Sequence, residues 1–220
     1  MARIWVVIVF IIMGQFIEAQ IPAEIFVGEK RATIDVMFFK YFKNTKEENS
    51  RWLFFHRNRA SVDVLTSLRQ QSVLFGFTEA ISYNAPSLKG LAPVAVLSVL
   101  NGGLTPKAGV QYVSIHPQFT LFTWAVASLQ QNTVLDYFLL MRYTPSISAK
   151  TRAFLQLESV NAIATREATS HSFTLRTRMG LKHHHFQWGV GLDQSYIGRN
   201  DFQKSTNLGI LLRQECQSSK

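Results

Sequence analysis

Residues 173–193 read FTLRTRMGLKHHHFQWGVGLD, two runs in which every second residue is apolar, on either side of three histidines. In the first run Phe173, Leu175, Met179 and Leu181 oppose Thr174, Arg176, Arg178 and Gly180. In the second, Phe186, Trp188, Val190 and Leu192 oppose Gln187, Gly189, Gly191 and Asp193. A period of two is that of a β-strand, so the stretch predicts two neighbouring strands joined at a tight turn around His183, His184 and His185. The fold then depends on which of the two faces meets the outside.

The pattern extends in both directions. Leu135, Tyr137, Leu139, Met141 and Tyr143 share a face opposite Asp136 and Arg142. Ala153, Leu155 and Leu157 oppose Arg152, Gln156 and Glu158, while Leu208, Ile210 and Leu212 oppose Gly209 and Arg213. After residue 30 about eleven such segments follow one another, separated by turn signals that include NAPSLKG (84–90), NGGLTPK (101–107) and TPSISAK (144–150). Helical spacing is scarce. The expectation is an all-β, antiparallel fold.

Composition narrows the environment. Charged residues make up 17% of the 220-residue chain against roughly 25% in soluble domains, while hydrophobics reach 47% and aromatics 12%. The net charge of +9 comes from basic residues scattered along the chain instead of gathered in a stripe, which argues against a nucleic-acid partner. At the front, Arg3, the apolar core IWVVIVFIIM (4–13) and IEAQ (17–20) read as an export signal over 1–19, cut after Ala19. Its apolar run is shorter than the roughly 20 residues that cross a membrane as a helix. Residues 20–29 are expected as a lead-in, 30–216 as the barrel and 217–220 as a tail. Cys216 has no second cysteine to pair with.

Charge type addresses the orientation. Lys43, Lys46, Lys89, Lys107, Lys150, Lys182 and Lys204 fall in or beside predicted turns, whereas Arg142, Arg152, Arg176, Arg178 and Arg213 fall within strands. Guanidinium groups interspersed with carboxylates and glycines suit an enclosed polar interior, because they pair bidentately and need room for a long side chain. The aliphatic face is then outside, against lipid. Tyr41, Trp52, Tyr83, Tyr143, Phe186 and Tyr196, near strand ends, are expected in the aromatic girdles at the membrane interfaces.

With an export signal, amphipathic strands and tight turns over residues 30–216, the chain resembles the bacterial outer-membrane β-barrel proteins in general architecture. That resemblance implies a transmembrane antiparallel barrel of about ten to twelve strands with short turns, with membrane lipid and the outer-membrane insertion machinery as partners. The closing segment STNLGILLRQEC (205–216) ends on Glu215 and Cys216 where that class often ends on an aromatic residue.

Eleven is an odd count, and such barrels normally have an even one. AEIFVG (23–28) as an extra strand gives twelve, and two segments fused into one bent strand give ten. Region 51–84 breaks the pattern: Arg57, Arg59 and Asp63 share a face with Leu53 and Phe55, and Glu79 shares one with Phe75, Phe77 and Ile81. The longest excursions are expected at 43–50, 64–72 and 161–171.

The lumen and ion-pair candidates are Asp136, Arg142, Arg152, Glu158, Arg176, Arg178, Asp193 and Arg213. Their first role is mutual pairing that holds the barrel shut, and their second is a path for small solutes, anions in particular. No cofactor is called for. Three consecutive histidines on an extended chain alternate in direction and do not form a spaced metal-ligand set. GXSXG, HEXXH and phosphate-loop patterns are absent from the sequence. The alternatives are an outer-membrane lipid hydrolase using His56, His116 or His171 with a serine, and an exported, soluble, lipocalin-like ligand barrel with its aliphatic face inside.

Overall fold

The computed structural model describes residues 21–64, 73–100, 103–130, 133–165 and 170–216. The proposed export signal and the tail 217–220 lie outside them. Twelve antiparallel strands form the fold: β1 (Ile21–Gly28), β2 (Arg31–Lys43), β3 (Asn49–Asp63), β4 (Leu74–Tyr83), β5 (Leu91–Leu100), β6 (Gly103–Ile115), β7 (Phe119–Ser128), β8 (Val134–Tyr143), β9 (Thr151–Ala164), β10 (His171–His183), β11 (Phe186–Gly198) and β12 (Gln203–Cys216). Each pairs with its neighbours in sequence, and β1 pairs with β12 to close the ring. Among the described residues the single helical element is a 3₁₀ turn, Pro86–Leu88, inside the NAPSLKG turn.

The even count comes from the segment at 23–28. Ile21–Gly28 runs between β2 and β12, with Ile25 opposite Ile34 on one side and Leu212 on the other, so the barrel begins at Ile21 and takes in the expected lead-in. Closure requires this strand, because without it β2 and β12 would each expose an unpaired row of backbone donors and acceptors, untenable in hydrocarbon. Sequence hid β6 as well. Gly103–Lys107, expected as part of a turn, already belongs to that strand, and only its first two positions, 101 and 102, fall outside the described residues.

Strand parity then fixes the two faces. Outside stand Ile25, Leu155, Met179, Val190, Leu208 and Ile210, the last 67% exposed, while inside Phe26, Phe122, Leu140 and Phe154 are fully buried. A ring of aliphatic side chains exposed on ten of the twelve strands, around an interior holding most of the charge, is a lipid-facing surface and the reverse of a soluble ligand barrel. Trp52, Tyr83, Tyr143 and Phe186 sit on this outer face at one rim and Tyr196 towards the other; Trp52 and Tyr83 meet edge to face at 5.0 Å. Tyr41 departs from the expected girdle: its parity turns it inward, where it packs on the interior apolar cluster.

Candidate functional site: the divided lumen

The lumen has two unlike halves. One wall, from β2 to β8, contributes Met37, Leu53, Phe55, Val94, Val96, Val113, Phe122, Trp124, Val126, Phe138 and Leu140 to one apolar cluster. Phe55 and Phe122 stack at 5.3 Å with planes 7° apart, and Trp124 meets Phe55 edge-on at 5.0 Å. This explains the polarity change within β3: its inward row is Leu53, Phe55, Arg57, Arg59, Ser61 and Asp63, aromatic at one end and charged at the other, and the whole row points into the barrel.

The other half is an ion-pair network. Arg57 grips Asp35 (Nη2 to Oδ2 2.5 Å, Nε to Oδ1 3.2 Å) and reaches Glu158 with both Nη atoms, at 2.9 and 3.1 Å. Arg176 donates to the same Glu158. Arg59 joins Asp35 to Asp193, each at 3.2 Å, and Arg178 joins Asp193 (2.6 Å) to Glu24 (3.0 Å). Arg213 donates to Glu24 through Nε at 3.1 Å and through Nη2, and it also reaches Gln156, which in turn accepts from Arg142 at 3.1 Å. Two of the guanidinium groups lie over rings, with Arg178 Cζ 4.2 Å from the centre of Phe26 and Arg213 Cζ 4.7 Å from that of Phe154. Gly191 gives Arg178 its berth: a Cβ there would fall 2.8 Å from Arg178 Cδ.

All eight candidates from sequence have inward parity, and seven of them lie within the lumen. Asp136 accepts from Lys107; Arg142, Glu158, Arg176, Arg178, Asp193 and Arg213 belong to the network; Arg152 stands exposed at the rim, opposite Lys182. One turn assignment is corrected here: Lys107 lies within β6. Lys182, beside the β10–β11 turn as expected, points inward to Glu215 at 2.5–2.6 Å. Sequence reasoning left out Glu24, Asp35, Arg57 and Arg59 as partners. Glu24 sat in the supposed lead-in, and the others lie on strands whose inward face is partly apolar.

Where the network crosses the barrel, the free space shrinks to about 10 Å³, among Glu24, Asp35, Arg59, Arg142, Glu158 and Arg178, room for roughly one water. Beyond it, towards the β1–β2 turn, the lumen widens into a vestibule of about 600 Å³ lined by Lys30, Arg31, Arg59, Asp63, Arg176, Asp193 and Asn207, with hydroxyls from Ser61, Thr174, Ser195 and Ser205. The side chain of Asn207 pins the β1–β2 turn at this mouth, its Oδ1 accepting from the backbone of Lys30 and Arg31 and its Nδ2 donating to Arg31 O. Arg57, Arg59, Arg142, Arg176, Arg178 and Arg213 face Glu24, Asp35, Glu158 and Asp193, so the waist carries two positive charges in excess.

Among the described residues no group of three or more His, Cys, Asp or Glu side chains is placed to hold a metal ion. His183 meets Thr151 at 3.2 Å and the edge of His184, whose φ of 51° forms the tight turn. His56 pairs with Glu79, and His171 accepts from the backbone of Ala164. None of these three bonds is to a serine.

No family model matches this chain, and no curated protein matches it either. Among solved structures it is similar to the NanC porin, at 6% identity and a TM-score of 0.50 over 89% of this chain and 97% of that one. The KdgM porin aligns over 89% of this chain and 98% of its own, at 8% identity and a TM-score of 0.41. The fold is that of the NanC porin, a closed antiparallel β-barrel. The expected all-β transmembrane architecture and its upper strand count of twelve are therefore borne out.

Proposed function

We propose that this protein, delivered by the signal over 1–19, is an integral outer-membrane barrel acting as a passive, low-conductance channel for small solutes, with a preference for anions. The observation that carries the reading is the vestibule of about 600 Å³ that ends at an arginine-rich waist. A solute entering from the vestibule meets Lys30, Arg31, Arg59 and Arg176, and the excess positive charge of the waist lowers the barrier for an anion relative to a cation. Hydroxyl groups along Thr174, Ser195 and Ser205 give a hydrated solute replacement hydrogen bonds.

The space of about 10 Å³ at the waist favours a second reading, in which the network seals the barrel and its role is structural. Planar-bilayer recording of the purified protein separates the two. Small, anion-favouring steps that grow when Arg59→Ser widens the waist support the channel; a sealed membrane with both wild type and variant leaves the structural role.

A further inference from the structure

Strand parity turns Leu74 on β4 and Leu100 on β5 into the lumen, on the same rows as Ser82 and Ser98, yet both line the vestibule with 41% and 54% of their surface exposed. Leu53, Leu140 and Leu211, which also point inward, are at most 3% exposed. Apolar surface left wet inside a polar cavity is a place where the apolar part of a ligand gains by docking.

Gly76 sets this surface beside charge. It pairs with Arg59 on one side and with Leu100 on the other, so its missing side chain leaves a slot between a guanidinium and an aliphatic chain. A Cβ at 76 would come within 3.3 Å of Leu100 Cδ2, so the leucine leans over the glycine. One row nearer the mouth, Ser61 opposite Leu74 repeats the polar and apolar neighbours. Six places round the ring from β4, β10 supplies Thr174, whose hydroxyl meets that of Ser195 at 3.1 Å. The charged lining of the cavity, Lys30, Arg31, Arg59 and Arg176 against Asp63 and Asp193, leaves two positive charges in excess.

We infer that the vestibule is a binding site for an amphiphilic organic anion, a carboxylate carried on an apolar body. The carboxylate lies towards Lys30, Arg31 and Arg59, and the body rests on Gly76 between Leu74 and Leu100. A fully hydroxylated acid would match the hydroxyls of β10 to β12 but leave both leucines wet. A neutral apolar solute would leave the excess charge uncompensated. The inference rests on the open vestibule of the proposed function and names what it holds; it needs no passage through the waist.

The test uses the full chain carrying Cys216→Ser and Ser195→Cys in phosphatidylcholine nanodiscs, and follows the rate at which a charged maleimide labels the thiol introduced into the vestibule. Heat-modifiable mobility on a denaturing gel reports in parallel on the closed barrel. Phenylacetate is the probe; phenylacetamide lacks its charge and gluconate lacks its apolar body. Phenylacetate should slow labelling at a concentration about tenfold below that needed of either control. Leu74→Ser with Leu100→Ser should raise that concentration about tenfold, and Gly76→Leu, which fills the slot, should do the same. Should the leucine variant lose the mobility shift, Gly76→Leu and the three solutes still decide. Equal protection by gluconate or by phenylacetamide overturns the inference, as does protection by none of the three or protection indifferent to the variants; each leaves the vestibule standing. A thiol that resists the charged maleimide without solute, in a barrel that keeps its mobility shift, instead removes the open vestibule, and the inference falls with it. Protection by phenylacetate beside a sealed planar bilayer keeps the site and overturns passage alone.

Discussion

Arg57 on β3 and Glu158 on β9 join hands across the full width of the barrel, Nη1 to Oε1 at 2.9 Å, from strands six places apart whichever way the ring is followed. Glu158 is 2% exposed, so both charges have left water and depend on each other and on Asp35 and Arg176 for compensation. Stability and closure of the waist meet in this pair.

Removing one partner should therefore cost more than removing both. Glu158→Leu leaves buried guanidinium groups uncompensated, and about 3–5 kcal/mol of destabilisation is expected. Arg57→Met with Glu158→Leu should recover most of it. Urea titration in detergent micelles, read by the gel mobility shift, gives the double-mutant cycle; additive losses would show that the pair is not coupled.

The aromatic half fills space as the charged half pairs charge. Phe122 is fully buried and touches Phe39, Phe55, Trp124 and Phe138, so Phe122→Ala should destabilise the barrel by about 3–5 kcal/mol. In bilayer recordings the same variant should raise conductance, because it opens space in the apolar half of the lumen beside Phe138, the ring over which Arg57 lies. An unchanged midpoint would place the ring outside the load the barrel bears.

Gly191 tests how tightly Arg178 is seated. A valine there would bring its Cβ within 3.0 Å of Phe26 Cε2 as well as onto the Arg178 stem, so Gly191→Val should expel the guanidinium from between Glu24 and Asp193. A loss of several degrees in melting temperature is expected, and Arg178→Met in the same background should add little further. A full additional loss from Arg178→Met would mean the arginine had stayed in place.

Orientation is checked by cysteine labelling in a Cys216→Ser background. Single cysteines at Leu139, Leu175 and Val190 should react with a lipid-soluble maleimide and resist a charged one. One at Ser195, in the vestibule, should react with the charged reagent. The opposite pattern would turn the barrel inside out.

Strands β8 to β12 were legible in sequence because Leu139, Leu155, Leu175, Val190 and Ile210 alternate with polar residues facing a charged lumen wall, the condition under which a period of two is plain. The code failed from β1 to β4 for a physical reason: there the lumen face itself carries Leu53 and Phe55 and the lipid face carries His56, Asn58 and Glu79, so neither face has one polarity. β6 was blurred by Gly103, Pro106 and Lys107, turn-like residues in a strand whose lysine has an aspartate to meet. Four of the network's six arginines, Arg142, Arg176, Arg178 and Arg213, could be named from the chain. Their partners across the lumen could not, because alternation along a strand carries no information about which strand lies opposite.

The seam between β1 and β12 ties Ile21 to Cys216, residues at opposite ends of the barrel-forming chain. No portion of the ring can shut until the last strand has been made, and until then β1 offers an open edge to any passing strand. Biogenesis is thus an all-or-none event in which the first strand must be shielded until the last arrives.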